Sequence, residues 1–251
     1  MKKALLVLSI VSTIFSAQAQ TVTKIGVAAE PYPPFSTKSA DGTWSGFEID
    51  LIHQVCKQAK LTCEIKDIAW DGIIPSLQSK KIDVIFSSMS VTDERSKKVL
   101  FTSPYYSSIP LVLGQEGQDF ELTKEAMKNK IIGVQTSTVS AFYIEKKIGR
   151  SRSIRHYDTQ DAVNADLLAG RIDFMISDNI MAAEFFKNNK EGLQSYGTVE
   201  YDPVLGEGVA GGVRLDDTKL KETLSKAIDS VVKSENYEAL SMKYFGTNIA
   251  P

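Results

Sequence analysis

Histidine, cysteine and tryptophan each occur only twice in the 251 residues. His53 and His156 are far apart, and Cys56 and Cys63 have no histidine beside them. No clustered donor set of the kind that holds a metal, haem or iron–sulfur centre stands out. Nor is there a Ser/His/Asp order, a free cysteine or any other obvious nucleophile–base pair. No metal or cofactor is expected. Neither sign of charge dominates, with 29 Lys and Arg against 31 Asp and Glu, and there is no basic stripe, which argues against nucleic acid as a partner. Low-complexity segments are missing too, so the chain reads as one large or two ordinary folded domains.

The one long apolar run lies at the start. Lys2 and Lys3 precede an apolar stretch over residues 4–15, followed by Ala17-Gln18-Ala19. That order is a secretory signal peptide (residues 1–19) with cleavage after Ala19, too short and wrongly flanked for a membrane span. A lipid anchor is not expected, because no cysteine lies near the cleavage site. Losing Lys2 and Lys3 takes the formal charge from −2 to −4. In an exported chain the even pair Cys56 and Cys63 reads as a disulfide; a two-thiol metal site is the alternative, weakened by the missing histidine.

The remainder alternates β-branched runs with helical stretches. Residues 24–28, 64–68 and 82–86 read as strands, and 47–60 and 72–79 as helices. On the first of these helices Ile49, Ile52, Val55 and Cys56 share a face. The pattern points to an α/β layered fold with a largely parallel sheet. It also repeats: "LQSKKIDVIFS" (77–87) matches "LLAGRIDFMIS" (167–177), and "IGV" occurs at 25–27 and again at 132–134. Two matches in the same order imply two related lobes. Residues 103–114 read as an extended crossing between them. The glycine-rich stretch 201–213 ends the second, and amphipathic helices over 218–233 and 235–245 return to the first. The expected division is 20–107 plus 208–251 for one lobe and 108–207 for the other. Hinge segments would lie near 105–112 and 204–210, with a ligand cleft between the lobes.

In open α/β sheets ligands bind beyond the carboxyl ends of strands. The repeat aligns Ser87 with Ser177 and Ser88 with Asp178, so one lobe presents serines and the other a carboxylate. In "SSMSVTDER" (87–95), Thr92 is a good N-cap, with Asp93 and Glu94 suited to a first helical turn. Arg95 follows in that same turn, against the helix dipole. The bland reading is a surface ion pair. The sharper one is an anion site built from the Arg95 guanidinium, the Ser90 hydroxyl and free amides. With Asp178 opposite, the site complements a zwitterion, of which an α-amino acid is the commonest small example.

The residues also carry a family resemblance, over essentially the whole mature chain. "YPPF" (32–35), "GFEIDL" (46–51), "WDGIIPSL" (70–77), "KKIDVIFSSMSVTDER" (80–95), "FTSPYY" (101–106), "GVQTST" (133–138), "AGRIDFMISD" (169–178) and "KYFG" (243–246) occur in the order found in periplasmic polar amino-acid-binding proteins of bacterial ABC importers. The resemblance implies a two-lobed type II periplasmic binding protein fold, a monomer, an inner-membrane ABC permease as partner, and a small disulfide at the cysteine pair. It also implies roles. Arg95 would clamp an α-carboxylate with the Ser90 amide and the turn over Ser137, Thr138 and Val139. Asp178, the Ser88 carbonyl and the Ser90 hydroxyl would hold the α-ammonium, within a strand end that includes Ser87 and Met89. Tyr32 and Trp70 would pack on the ligand side chain, where two aromatic faces suit a flat cation; each could equally be a core or rim aromatic. Gln135 would reach the ligand from the second lobe.

Three positions depart from the family pattern. Ala29 replaces an aspartate that contacts basic side chains, leaving Glu30 as the neighbouring acid; Ser137 replaces a glycine; and Val139 replaces a threonine. His53, in the first helix, and His156, in a basic loop, are expected to stand apart. A basic amino acid, arginine first and lysine, ornithine or histidine next, is the leading substrate class, with neutral polar amino acids and opines as alternatives. A dehydratase on the same fold, with Glu30 or Asp178 as acid, and an amino-acid sensor are the rival functions.

Overall fold

The computed structural model describes residues 22–251, so the leader at 1–19 lies outside the described residues. In chain order the strands are β1 Val22–Ala28, β2 Thr37–Lys38, β3 Trp44–Ser45, β4 Thr62–Ile68, β5 Val84–Ile85, β6 Leu100–Tyr106, β7 Pro110–Gln115, β8 Ile132–Gln135, β9 Ile154–Tyr157, β10 Phe174–Asp178, β11 Leu193–Thr198 and β12 Val209–Val213. The helices are α1 Phe47–Ala59, α2 Ile73–Gln78, α3 Asp93–Ser96, α4 Val139–Ile148, α5 Gln160–Leu168, α6 Asn179–Asn188, α7 Thr218–Val232 and α8 Glu235–Phe245. Short 3-10 turns span Trp70–Gly72 and Pro203–Leu205. No helix among the described residues is long and apolar enough to cross a membrane.

Two five-stranded sheets form, in the orders β4-β1-β5-β12-β6 and β11-β7-β10-β8-β9. In each, four strands run one way and a single strand, β12 in the first sheet and β7 in the second, runs against them. The chain leaves the first sheet after β6 and returns to it with β12. It thus passes between the sheets twice, through residues 107–109 and 199–208. The first sheet is covered by α1, whose Ile49, Ile52 and Val55 are buried, and by the Leu224–Ile228–Val231 stripe of α7. Tyr237 of α8 is fully buried against Phe47, ring to ring at 5.7 Å. Cys56 and Cys63 are joined by a disulfide that ties the end of α1 to the start of β4.

The repeat is a repeat of register as well as of sequence. Ile25 and Gly26 pair with Val84 and Ile85, while Ile132 and Gly133 pair with Phe174 and Met175. The carboxylate of Asp83 accepts from the Lys24 amide and that of Asp173 from the Ile131 amide. Each glycine also makes room for the same neighbour. A Cβ on Gly26 would stand 2.3 Å from the Ile82 Cδ1, and one on Gly133 would stand 2.4 Å from the Ile172 Cδ1. The two sheets are therefore copies of one unit, fastened by the same aspartate and closed over the same isoleucine.

Three local expectations are corrected. The strand over 82–86 is only two residues long, because Ile82 turns inward over Gly26 and the Ser87 hydroxyl takes over from the ladder. That hydroxyl accepts from the Ala28 amide at 2.9 Å, and Ser88 follows with φ 50°. The helix over 72–79 starts as a 3-10 turn. His156 sits in β9 rather than in a loop, with its Nε2 3.3 Å from Glu145 Oε1.

The close approach at Gly133 sets up a double-mutant test. Gly133→Ala overpacks the second sheet and is expected to cost about 1–3 kcal/mol in urea unfolding. Ile172→Val removes the Cδ1 methyl, so the double variant should recover part of that loss through a coupling of opposite sign. Strict additivity of the two losses would overturn this account of the packing.

Candidate functional site

The carboxyl ends of β1 and β5 in the first sheet face those of β8 and β10 in the second across one cavity. The first sheet and its loops contribute Glu30, Tyr32, Trp70, Ser87, Ser88, Ser90 and Arg95. The second contributes Gln135, Thr138, Val139 and Asp178. Met89 and Ser137, also expected at a site, do not line it. The Met89 side chain is 1 % exposed and packs with Ile73, Leu77 and Val99, because the turn that points the flanking serines outward drives it into the core. Ser137 contributes its backbone, at φ 61°, to a contact described below.

Arg95 is the charged centre of the first wall. Thr92 caps the short helix α3 and accepts from the Arg95 amide at 3.2 Å. The guanidinium donates from Nη1 to the Ser90 carbonyl at 3.0 Å and from Nη2 to the Ser137 carbonyl of the second wall at 3.1 Å. Its carbon lies 5.4 Å from the centroid of the Trp70 ring. One aromatic face expected to serve a ligand is thus occupied by Arg95 itself. Among the described residues no carboxylate lies within ion-pair distance of this guanidinium, and burial alone lowers its pKa to about 10. A buried cation satisfied only by neutral carbonyls and a ring retains strong attraction for an anion.

Asp178 ends β10 and caps α6, its Oδ1 accepting from the Ile180 and Met181 amides at 2.8 and 3.3 Å. It too lacks a cationic partner among the described residues, and burial pushes its carboxyl above the usual range. Glu30, the second acid on the first wall, accepts from the Trp70 amide at 3.3 and 3.4 Å. That bond fixes the carboxylate beside Trp70. Gln135, 7 % exposed, donates to the Asp158 carbonyl at 3.1 Å. Thr138 caps α4 and donates to the Gln135 carbonyl at 2.7 Å.

Several lining residues escaped the sequence reading. Ser177 and Ala28 could have been found, being the repeat counterparts of Ser87 and Gln135. Gln160, 3 % exposed at the start of α5, Ser108 of the first crossing and Pro110 at the start of β7 carried no comparable signal. Glu48 was quoted only as part of "GFEIDL". It is 1 % exposed and accepts from the Ser88 amide at 2.7 Å and the Tyr105 hydroxyl at 2.5 Å. Burial raises its carboxyl to about 7.

Two copies of one α/β unit, one offering a buried cation and the other a half-buried carboxylate to the same cavity, define a two-lobed binding protein for a small molecule of mixed charge. The chain belongs to the bacterial extracellular solute-binding proteins, family 3, whose sequence profile matches residues 24–247. It is 33% identical to the lysine/arginine/ornithine-binding periplasmic protein of Escherichia coli K12 and 34% identical to the histidine-binding periplasmic protein of the same strain, with 99% of each chain covered in both comparisons. Its fold superimposes with a TM-score of 0.79 on an ancestral arginine-binding protein solved with arginine and with glutamine, at 31% identity, covering 90% of this chain and 98% of that one.

The hydroxyl that replaces a ladder bond at Ser87 gives a direct test. Ser87→Ala leaves the buried Ala28 amide without its acceptor, so urea denaturation should show a loss of about 1–3 kcal/mol. A loss below a few tenths would mean that another acceptor moves in.

Proposed function

We propose that the protein is a periplasmic receptor for a basic L-amino acid, arginine first with lysine, ornithine and histidine behind it, which it delivers to an ABC permease. The observation that carries this reading is the pair of oppositely charged groups, buried Arg95 and half-buried Asp178, that share a cavity without ion-pairing elsewhere among the described residues. A free α-amino acid offers a carboxylate to the one and an ammonium to the other. Ser88, Ser90 and Val139 flank these groups on the cavity wall and complete the clamp. Two carboxylates, Asp178 and Glu30, then face one arginine, leaving an acid in excess for a cationic side chain. Glu30 takes the place of the aspartate missing at Ala29. Tyr32, the free face of Trp70 and Gln135 surround that side chain. The names of the relatives support a basic ligand, and the glutamine complex of the ancestral protein keeps neutral polar amino acids as the runner-up.

The two passages between the sheets act as the hinge. An open cleft admits the amino acid, and closure brings the Arg95 and Asp178 walls around it. Residues 20–107 and 208–251 move as one lobe and 108–207 as the other. The leader at 1–19 sends the chain to the periplasm, where a monomeric closed complex docks on the permease. Charge-assisted hydrogen bonds of ~1.5–3 kcal/mol each must outweigh the desolvation of the ligand's charges, and a net −8 kcal/mol, about micromolar, suffices for scavenging.

Calorimetry across the twenty amino acids and representative opines tests the substrate class; failure of every member to bind would sink the proposal. Arg95→Ala removes two or more charge-assisted bonds and strands the ligand carboxylate, so affinity should fall at least about 100-fold. A change under threefold would reject the carboxylate clamp. Glu30→Gln should weaken arginine about tenfold while leaving glutamine within threefold, as loss of one charge-assisted bond requires. Equal effects on both ligands would remove Glu30 from side-chain recognition.

A further inference from the structure

Behind the cavity wall, a chain of buried polar groups runs from α8 to the strand end that carries Ser88. The Tyr237 hydroxyl donates to the Tyr105 carbonyl. The Tyr105 ring, stacked on Phe86 with centroids 4.4 Å apart, donates its hydroxyl to Glu48 Oε1, which also accepts from the Ser88 amide. Four elements thus meet at one carboxylate: α1 supplies it, β6 and α8 fix Tyr105, and the turn after β5 is the recipient.

That turn is strained. Ser88 holds φ 50°, a region that costs a residue with a Cβ about 1–2 kcal/mol and persists only where surroundings enforce it. The Glu48 carboxylate is the side chain that receives the Ser88 amide. The Ser88 hydroxyl has no partner although it is buried and lines the cavity. Across the cavity stands Asp178. We infer that Glu48 is a positioning residue for the ammonium half of the site: by accepting the Ser88 amide it holds the left-handed turn that presents Ser88 to the ligand's α-ammonium opposite Asp178. Glu48 itself touches no ligand and acts through Ser88.

Phenols and a carboxylate are the ionisable groups that face Glu48: Tyr105 and Tyr106 of β6, Tyr32 of the loop after β1, and Asp178 of β10. Among the described residues no lysine, arginine or histidine forms an ion pair with it. The neighbouring rings pack on one another, Phe47 against Phe35 and Tyr237 and Tyr105 against Phe86, without calling on the carboxylate. What only an acceptor can do there is hold the amide and the phenol.

The inference rests on the amino-acid-binding reading, and matched ligands separate the two. L-arginine is compared with δ-guanidinovalerate, L-lysine with ε-aminocaproate and L-glutamine with glutaramate, each pair differing only in the α-amino group. Displacement of a fluorescent amino acid gives affinities into the millimolar range for wild type, Glu48→Leu and Glu48→Gln. Expected are a loss of thirtyfold or more for the parent amino acid in Glu48→Leu, a change below threefold for its deaminated partner, and recovery to within about fivefold in Glu48→Gln, whose amide oxygen accepts the same amide. Equal losses for both members of a pair, or an unchanged parent affinity in Glu48→Leu, would overturn the positioning role. If wild type fails to distinguish the members of any pair, the ammonium site itself is wrong and the inference falls with it. If Glu48→Leu does not fold, Glu48→Gln decides alone: selective loss of the parent ligand beyond tenfold would show that the charge, not the positioning, matters and would reject the inference.

Discussion

A cation buried without a counter-charge is the constraint on which the rest of the site depends. The Arg95 guanidinium is held by two carbonyls and one aromatic ring, which satisfies its donors in part and its charge not at all. Placing it there requires the Thr92 cap, which starts α3 at the right residue, and the turn over 88–91. That turn is in turn laced to the returning crossing. Val91 donates to the Gly208 carbonyl and accepts from the Glu207 amide, both at 2.9 Å, and the Met89 carbonyl accepts from Ala210 at 3.1 Å. The Arg95 half of the cavity and the path back between the sheets are thus one hydrogen-bonded ladder. Any shift of the Arg95 turn is therefore passed directly to the segment that carries the chain back to the first sheet.

Pseudo-symmetry explains how such a cavity can be made from one unit used twice. Equivalent strand ends converge on the same space because each unit carries its binding positions beyond the carboxyl ends of its parallel strands. The unit's fastening is unchanged between copies: the aspartates Asp83 and Asp173, the glycines and the isoleucines over them are the same. The copies also differ at the strand ends that line the cavity. Ala28 faces Gln135, Glu30 stands where the second copy has Ser137, and Ser88 where it has Asp178. The fastening positions were kept while these cleft positions were changed, which turns a repeated scaffold into a site with one cationic and one anionic wall.

This division also decides what could be read from the sequence. The fold was legible because a buried parallel strand after a short turn leaves a compact signature, Ile-Asp followed by apolar residues, and two copies make that signature recognisable. Arg95 was legible because a cation in a first helical turn opposes the dipole and needs a reason to be there. Other features lie beyond periodicity. Nothing in the spacing of Trp70 and Arg95, 25 positions apart, says that the ring will lie under the guanidinium and not under a ligand. Met89 reads like its serine neighbours until the backbone turns left-handed at Ser88 and sends it inward. The two-residue β5 follows from a hydroxyl standing in for a carbonyl, a substitution that composition cannot reveal.

Glu48 is where stability and binding pull in opposite directions. Burial raises its carboxyl from 4.5 to about 7, so the folded chain binds this proton more tightly than the unfolded one does. The contribution to stability is then full below about pH 4.5 and declines as pH rises through about 7, where the ionised form must sit in an apolar setting. An apolar residue of similar volume would avoid that loss and suit the aromatic neighbours. It would also take from the Ser88 amide and the Tyr105 hydroxyl, two buried donors, the acceptor they share. A carboxylate that is awkward as a charge is therefore retained as an acceptor, and its cost is carried by the same aromatic cluster that anchors α1 and α8 to the first sheet.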